Sequence, residues 1–233
     1  VLLSEARRGA GRFADAVATD SSFGDVRLGR SLSSVHAPAS ITELYALAVY
    51  QGVLYAITGD SDIVYSSTNG TTWVTAADLS TLGIGSTATS LKSIGIFNGS
   101  LLVGSGSNGQ LFRYDGSSWT LFGTLTNAVS LRCIAQTVWG SSPSCRVGAS
   151  GVDSTGAAAT GRASLVTVTV TPTFNYAENV PFPHIEAVIS QNDVIYYAAL
   201  DDTAGVRGAL FRTTGILVKD LPDNAVSSFA EYQ

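Results

Sequence analysis

A chain of 233 residues, 45% apolar and with 24 glycines, can bury one sizeable core and make many tight turns. Charge is sparse, at 13% with a net of −5 and lysine only at Lys92 and Lys219, so no basic surface tracks phosphates, and nucleic acid and anionic membrane are set aside as partners. No apolar run reaches the ~18 residues of a spanning helix, so membrane insertion is not expected.

The chain opens VLLSEARR, without an initiator Met or a signal-peptide pattern, which reads as a segment of a larger polypeptide. VLLSEAR, GRFADAVAT and DVRLGRSL read as strands, and SLSSVHAPAS (31–40) as a long link. From 45 to 73 come three runs rich in β-branched and aromatic residues, LYALAVYQ, VLYAITG and DIVYSS. Gln51-Gly52, Gly59-Asp60 and Asn69-Gly70 separate them as turns, and a fourth run begins at Trp73.

This unit recurs. VYQGVLYAITG (49–59), IFNGSLLVGSG (96–106) and ISQNDVIYYAA (189–199) align on a turn followed by an apolar strand; Gly52 and Gly99 lie 47 residues apart, Trp73 and Trp119 lie 46 apart. GQLFRYDG (109–116) and GALFRTTG (208–215) share Leu-Phe-Arg, while GRASLVTVTV (161–170) fills the same slot in a unit lengthened by VDSTGAAATG. Four strands per repeat of about 47 residues is the requirement of a propeller blade.

The predicted fold is therefore all-β, a single five-bladed β-propeller domain over 1–233. Its blades span about 41–80, 89–126, 129–180 and 184–222, with a fifth made of 225–233 plus 1–34. The fifth follows from FAEYQ at the C-terminus matching LAVYQ (47–51). N- and C-terminal strands would thus close the ring and remove open sheet edges. An open β-sandwich and a share of a larger ring remain as alternatives.

At SSTNGTTW (66–73) the chain resembles the Asp-box of sialidase-type propellers, Ser-x-Asp-x-Gly-x-Thr-Trp, between third and fourth strands. Ser66, Gly70, Thr72 and Trp73 match, with Thr68 in the place of the Asp; FRYDGSSW keeps Gly116 and Trp119. The resemblance implies a folding device, a glycine turn and a Trp between neighbouring sheets, and no activity. Five units of this size also resemble the tachylectin type of lectin, which binds N-acetylated sugars. That likeness is one of size and count, so no binding residue is carried over.

No catalytic residue, cofactor or metal site is assigned. His36 and His184 lie in proline-flanked loops without ligand-spaced partners, and Asp60/Asp62 and Asp201/Asp202 read as turn formers. Cys133 and Cys145 flank the turn WGSSPS, where a cross-strand disulfide is expected, the alternative being two buried thiols. Asn69-Gly70-Thr71 and Asn98-Gly99-Ser100 are sequons on turns, so Asn69 and Asn98 are candidate glycosylation sites. Cysteines and sequons together favour an extracellular or particle-surface protein. Trp139, Tyr50 and Tyr232 are the candidate rings for stacking on a sugar.

The expectation is a non-enzymatic, lectin-like recognition or adhesion propeller whose partner is a glycan. The alternative is a structural subunit of an appendage, layer or virion that contacts neighbouring protein chains through its loops. A glycoside hydrolase is the third reading, and the scattered arginines do not suggest one.

Overall fold

The computed structural model describes residues 19–20, 27–28, 45–59, 61–82, 90–139, 142–191, 194–201, 207–213 and 216–222. They belong to two compact units, 1–36 and 37–233. In the first, β1 (Thr19–Asp20) and β2 (Arg27–Leu28) pair antiparallel. Apart from that pair, the proposed fifth blade lies outside the described residues, as does Tyr232.

The second unit contains four antiparallel sheets of four strands, each strand pairing with the next in sequence. Sheet I is β3 (Ala46–Tyr50), β4 (Val53–Ile57), β5 (Ile63–Ser67) and β6 (Val74–Asp78). Sheet II is β7 (Leu91–Phe97), β8 (Ser100–Ser105), β9 (Gln110–Tyr114) and β10 (Trp119–Thr124). Sheet III is longer: β11 (Ser130–Trp139), β12 (Ser142–Val152), β13 (Ala158–Val168) and β14 (Phe174–Val180). Sheet IV is β15 (His184–Gln191), β16 (Val194–Asp201), β17 (Arg207–Arg212) and β18 (Ile216–Pro222).

Turn chemistry closes the first hairpins. Gln51 and Gly52 take φ of 51° and 77°, Asn98 and Gly99 take 46° and 71°, and each pair forms a two-residue loop with positive φ at both positions, the geometry that matches strand twist. Alternation along the strands then sends successive side chains to opposite faces. On β8, Leu101 and Val103 join the core between sheets I and II, whereas Leu102 joins the core between II and III. A third core, with Ile185, Tyr197 and Phe211, fills the space between III and IV.

The first strands stand in series, β7 beside β3 and β11, and β11 beside β7 and β15. The strands are crowded there, and small residues make the close approach feasible. A Cβ on Gly148 would lie 2.7 Å from Cys133 Sγ and 2.8 Å from the Ile185 carbonyl, closer than real Cβ atoms approach.

Each of β7, β11 and β15 carries a bulge near its start, between Leu91 and Ser93, Leu131 and Cys133, and Ile185 and Ala187. The extra residues are Lys92, Arg132 and Glu186. An inserted residue leaves the ladder and is re-aimed. Here two of the three pair with each other across sheets III and IV, Arg132 donating to Glu186. Lys92 instead turns to sheet I, donating to the Gly59 carbonyl at 2.8 Å with its ammonium 4.6 Å from the Tyr45 ring centroid.

The predicted disulfide is not present. Cys133 and Cys145 are both free and buried, the alternative the sequence left open. Cys133 lies opposite Gly148 and Cys145 opposite Gln136, so the two are three register positions apart. They also face opposite sides of sheet III, Cys133 in the core shared with sheet IV and Cys145 in the core shared with sheet II. Burial raises both thiols, that of Cys145 to about 12, which keeps them protonated and unreactive.

Candidate functional site

Two seams between sheets decide where a ligand could enter. In the seam between sheets I and II, Tyr50, at the end of β3, is 5% exposed and donates its hydroxyl to the Gly99 carbonyl at 2.7 Å. Gln51 Nε2 donates to the same hydroxyl at 3.1 Å. Tyr50, Tyr55 and Tyr114 meet at centroid distances of 5.9 to 6.3 Å, and Tyr114 stacks on Trp119 at 5.0 Å with planes 20° apart. Burial, then the neighbouring Tyr114, raises the Tyr55 phenol. This seam is full. The face of Tyr50 expected to receive a sugar is covered by its neighbours.

The turns between third and fourth strands of sheets I and II share one chemistry. Asn69 Oδ1 accepts from the Thr71 and Thr72 amides at 2.9 and 2.8 Å, and Asp115 Oδ1 accepts from the Ser117 and Ser118 amides at 2.8 and 2.9 Å. Gly70 and Gly116 follow at φ of 73° and 100°. The side-chain acceptor therefore sits immediately before the glycine, whereas the Asp-box pattern has its Asp two residues before it; Thr68, at that place, is exposed. Ser66 is half-buried on β5, Thr72 is exposed and Trp73 is half-buried. Hydrogen bonds from Ser118 and Ser117 hold the Asp115 carboxyl well below the usual carboxylate range.

Asn69 and Asn98 are both exposed at turns, although the Asn69 carbonyl oxygen is engaged as described. Trp139 ends β11 opposite Ser142; its side chain lies outside the described residues. His184 Nδ1 lies 3.0 Å from Ser150 Oγ, and His36 and Asp60 lie outside the described residues. Asp62 is half-buried, and burial first and Asp78 second raise its carboxyl. Among the described residues no group of three His, Cys, Asp or Glu could hold a metal, and no helix is long and apolar enough to cross a membrane.

The seam between sheets II and III differs from the first. It opens into a shallow, solvent-connected cleft of about 20 Å³, room for about one water, lined by Phe97, Asn98, Ser100, Leu102, Arg113, Phe122 and Val170. Phe97, just before the Asn98-Gly99 turn, and Leu102 form its floor as part of the core. Arg113, from β9, lays its guanidinium over the Phe122 ring with Cζ 5.4 Å from the centroid. Its Nε is buried and has no hydrogen-bond partner. Asn98 and Ser100 put an amide and a hydroxyl on the lip. Of these residues the sequence had singled out only Asn98, as a candidate glycosylation site, while the shared Leu-Phe-Arg of 111–113 and 210–212 marked Arg113 as part of the repeat.

No protein-family model and no curated protein matches this chain. Solved structures do. The extracellular domain of BT4673 from B. thetaiotaomicron is similar with a TM-score of 0.57 at 13% identity, covering 86% of this chain. This chain spans only 26% of that one. The alpha-L-arabinanase of Cellvibrio cellulosa is similar with a TM-score of 0.50 at 11% identity, over 80% of this chain and 77% of that one. An alpha-L-arabinofuranosidase from Clostridium thermocellum gives 0.50 at 12%, over 84% and 80%.

These neighbours are propeller-type folds. The four sheets are propeller blades. The likeness at such identities extends to architecture alone. The cleft thus lies between the second and third blades, at the rim.

Proposed function

We propose that this chain is a non-enzymatic recognition or adhesion propeller of an extracellular or particle surface, that it binds glycans, and that 225–233 with 1–34 complete a fifth blade. The observation that carries the glycan reading is the rim cleft between blades two and three. The half-buried Phe122 ring lines it together with the amide of Asn98, the hydroxyl of Ser100 and the guanidinium of Arg113, a mixture of apolar and hydrogen-bonding groups of the kind saccharides use. Among the described residues Asp115 and Asp153 cap turns and Glu186 pairs with Arg132, so these three carboxylates have structural roles.

A broad glycan panel, followed by calorimetry on any hit, tests the reading. Saturable binding with a defined stoichiometry is expected; a folded protein that binds no glycan overturns it. A specific observation supports the second reading, a structural subunit. On β18, the outermost strand of blade four, Ile216, Leu217 and Val218 are 44%, 52% and 47% exposed in succession, an edge suited to a neighbouring protein chain. Concentration-dependent association in light scattering, abolished by Leu217→Lys, is the outcome that reading expects.

A further inference from the structure

We infer that Asn98-Gly99, the hairpin tip between β7 and β8, is a site of spontaneous backbone modification, where Asn98 ages to aspartate and isoaspartate behind a gate formed by the Tyr50 hydroxyl. The inference goes beyond the recognition reading and stands whether or not a glycan binds. The chemistry needs only water. The Gly99 amide nitrogen attacks the Asn98 side-chain carbonyl carbon, so that a bond from Gly99 N to Asn98 Cγ forms and the bond from Cγ to Nδ2 breaks. Nδ2 leaves as ammonia, with the proton that Gly99 N gives up. Water then opens the five-membered succinimide at either carbonyl, giving aspartate or, with the backbone rerouted through Cγ, isoaspartate.

The sequence holds three Asn-Gly pairs, at Asn69, Asn98 and Asn108, and their surroundings separate them. Asn69 is locked. Its Oδ1 accepts from the Thr71 and Thr72 amides at 2.9 and 2.8 Å and from Ser67 Oγ at 3.2 Å, and the nitrogen that would attack it, Gly70 N, donates to Ser67 Oγ at 2.9 Å. At the third pair Gly109 is buried, and a Cβ there would lie 2.4 Å from the Leu125 carbonyl oxygen, so that segment crowds the space a closing ring would need. Asn98 and Gly99 are both exposed, and a Cβ on Gly99 would meet nothing within 4 Å. Among the described residues neither the Asn98 carboxamide nor the Gly99 amide has a hydrogen-bond partner. Blade one carries the equivalent turn with Gln51, whose longer side chain would have to close a six-membered ring and whose Nε2 is engaged by the Tyr50 hydroxyl at 3.1 Å. Asn98 alone joins a free carboxamide to an open glycine.

The turn itself supplies the gate. Attack requires nitrogen and carbon to approach to about 3–3.5 Å, which a two-residue loop with left-handed φ at both residues allows only when it opens. Opening must break the bond from the Tyr50 hydroxyl to the Gly99 carbonyl, 2.7 Å long and reaching across from blade one. The products then change the rim. Either one adds a negative charge to a chain already at −5, and isoaspartate adds a methylene to the backbone of a loop only two residues long. The contact between blades one and two at Gly99 is displaced. Conversion also destroys the sequon, because N-glycosylation and ring closure draw on the same Nδ2: a glycan there holds the nitrogen that ring closure must expel.

The experiment incubates the folded full chain, free of glycan, in mildly alkaline buffer and follows the peptides containing Asn69, Asn98 and Asn108 by mass spectrometry, with isoaspartate identified by enzymatic carboxyl methylation. Asn98 is expected to convert at least about tenfold faster than Asn69, the scale of one to two hydrogen bonds that Asn69 must break first. In denaturant the three sites should convert at similar rates. Tyr50→Phe should speed Asn98 by up to about fivefold and leave Asn69 unchanged. Should Tyr50→Phe fail to fold, Ser67→Ala supplies the converse test, since it frees the Gly70 amide and should raise the Asn69 rate towards that of Asn98. Equal rates at Asn69 and Asn98 in the folded chain overturn the inference, as does a folded chain in which Asn98 stays intact while the denatured chain converts. An Asn98 rate unchanged by Tyr50→Phe overturns the gate.

Discussion

The seams between blades one and two and between blades two and three are built on the same positions and end differently. Tyr50 and Phe97 each precede a two-residue turn, and Tyr55 and Leu102 each sit on the second strand, opposite Ser66 and Arg113 respectively. In the first seam, three tyrosines and Trp119 interlock, and the Tyr50 hydroxyl closes the rim on the Gly99 carbonyl. In the second, Phe97 and Leu102 lack that reach, and the third-strand position holds a long cation in place of a serine. The result is a cleft. Three differences on one scaffold therefore accompany the change from a packed joint to a shallow polar opening, which is how a repeat fold can vary a seam without changing its architecture.

Four experiments break or sharpen this contrast. Phe112 and Arg113 are chain neighbours facing opposite seams, and Phe112 is fully buried in the first. Phe112→Ala is expected to cost about 3–5 kcal/mol in urea unfolding, whereas Arg113→Gln should change stability by no more than about 0.5 kcal/mol. Comparable losses would mean that the second seam is as tightly packed as the first. Next, Gly148→Ala drives a methyl into Cys133 and the Ile185 carbonyl at the crowded first strands and is expected to cost about 1–3 kcal/mol; a neutral result in thermal melts would show those strands free to separate. Tyr50→Phe keeps the ring and deletes the bond to Gly99, for an expected loss of about 1 kcal/mol, and an unchanged denaturation midpoint would mean that rim bond contributes nothing.

The smallest effect concerns the Asp115 turn, whose Gly116 lies against the Gln51 side chain of the first seam. The Asp115 carboxyl is held below its ordinary value by Ser118 and Ser117. Its contribution is thus present above the unfolded-state value, near 3.8, and is lost as pH falls through the lower folded-state value. Asp115→Asn retains an acceptor but cannot titrate, so its stability should fall less steeply than the wild type's below about pH 4. Identical acid profiles for the two proteins would show that the turn is indifferent to the charge.

Much of the local architecture was legible in the residues. The apolar and β-branched runs, the Gln51-Gly52 and Asn98-Gly99 turns and the 47-residue spacing follow from rules that act within a few residues, and the four sheets of four strands obey them. The residue class at the third-to-fourth turn was also legible, since Asn69-Gly70 and Asp115-Gly116 cap their own backbone whatever surrounds them.

What the sequence by itself could not set is the face on which a residue falls once sheets are bulged and stacked. From Ser130 opposite Ser150 and Leu131 opposite Ala149, an unbroken register would put Cys145 opposite Ala135, on the same face as Cys133. The bulge at Arg132 shifts the pairing by one, Cys145 meets Gln136, and the two thiols end on opposite sides of the blade. Because side chains alternate with a period of two, one extra residue inverts the partition, and only the tertiary crowding of first strands decides where that residue is expelled. Tyr50 and Arg113 follow the same logic. Composition made each a polar-tipped side chain; the neighbouring blade's Gly99 carbonyl holds the tip of one, and stacking on Phe122 holds the other in the seam between blades two and three.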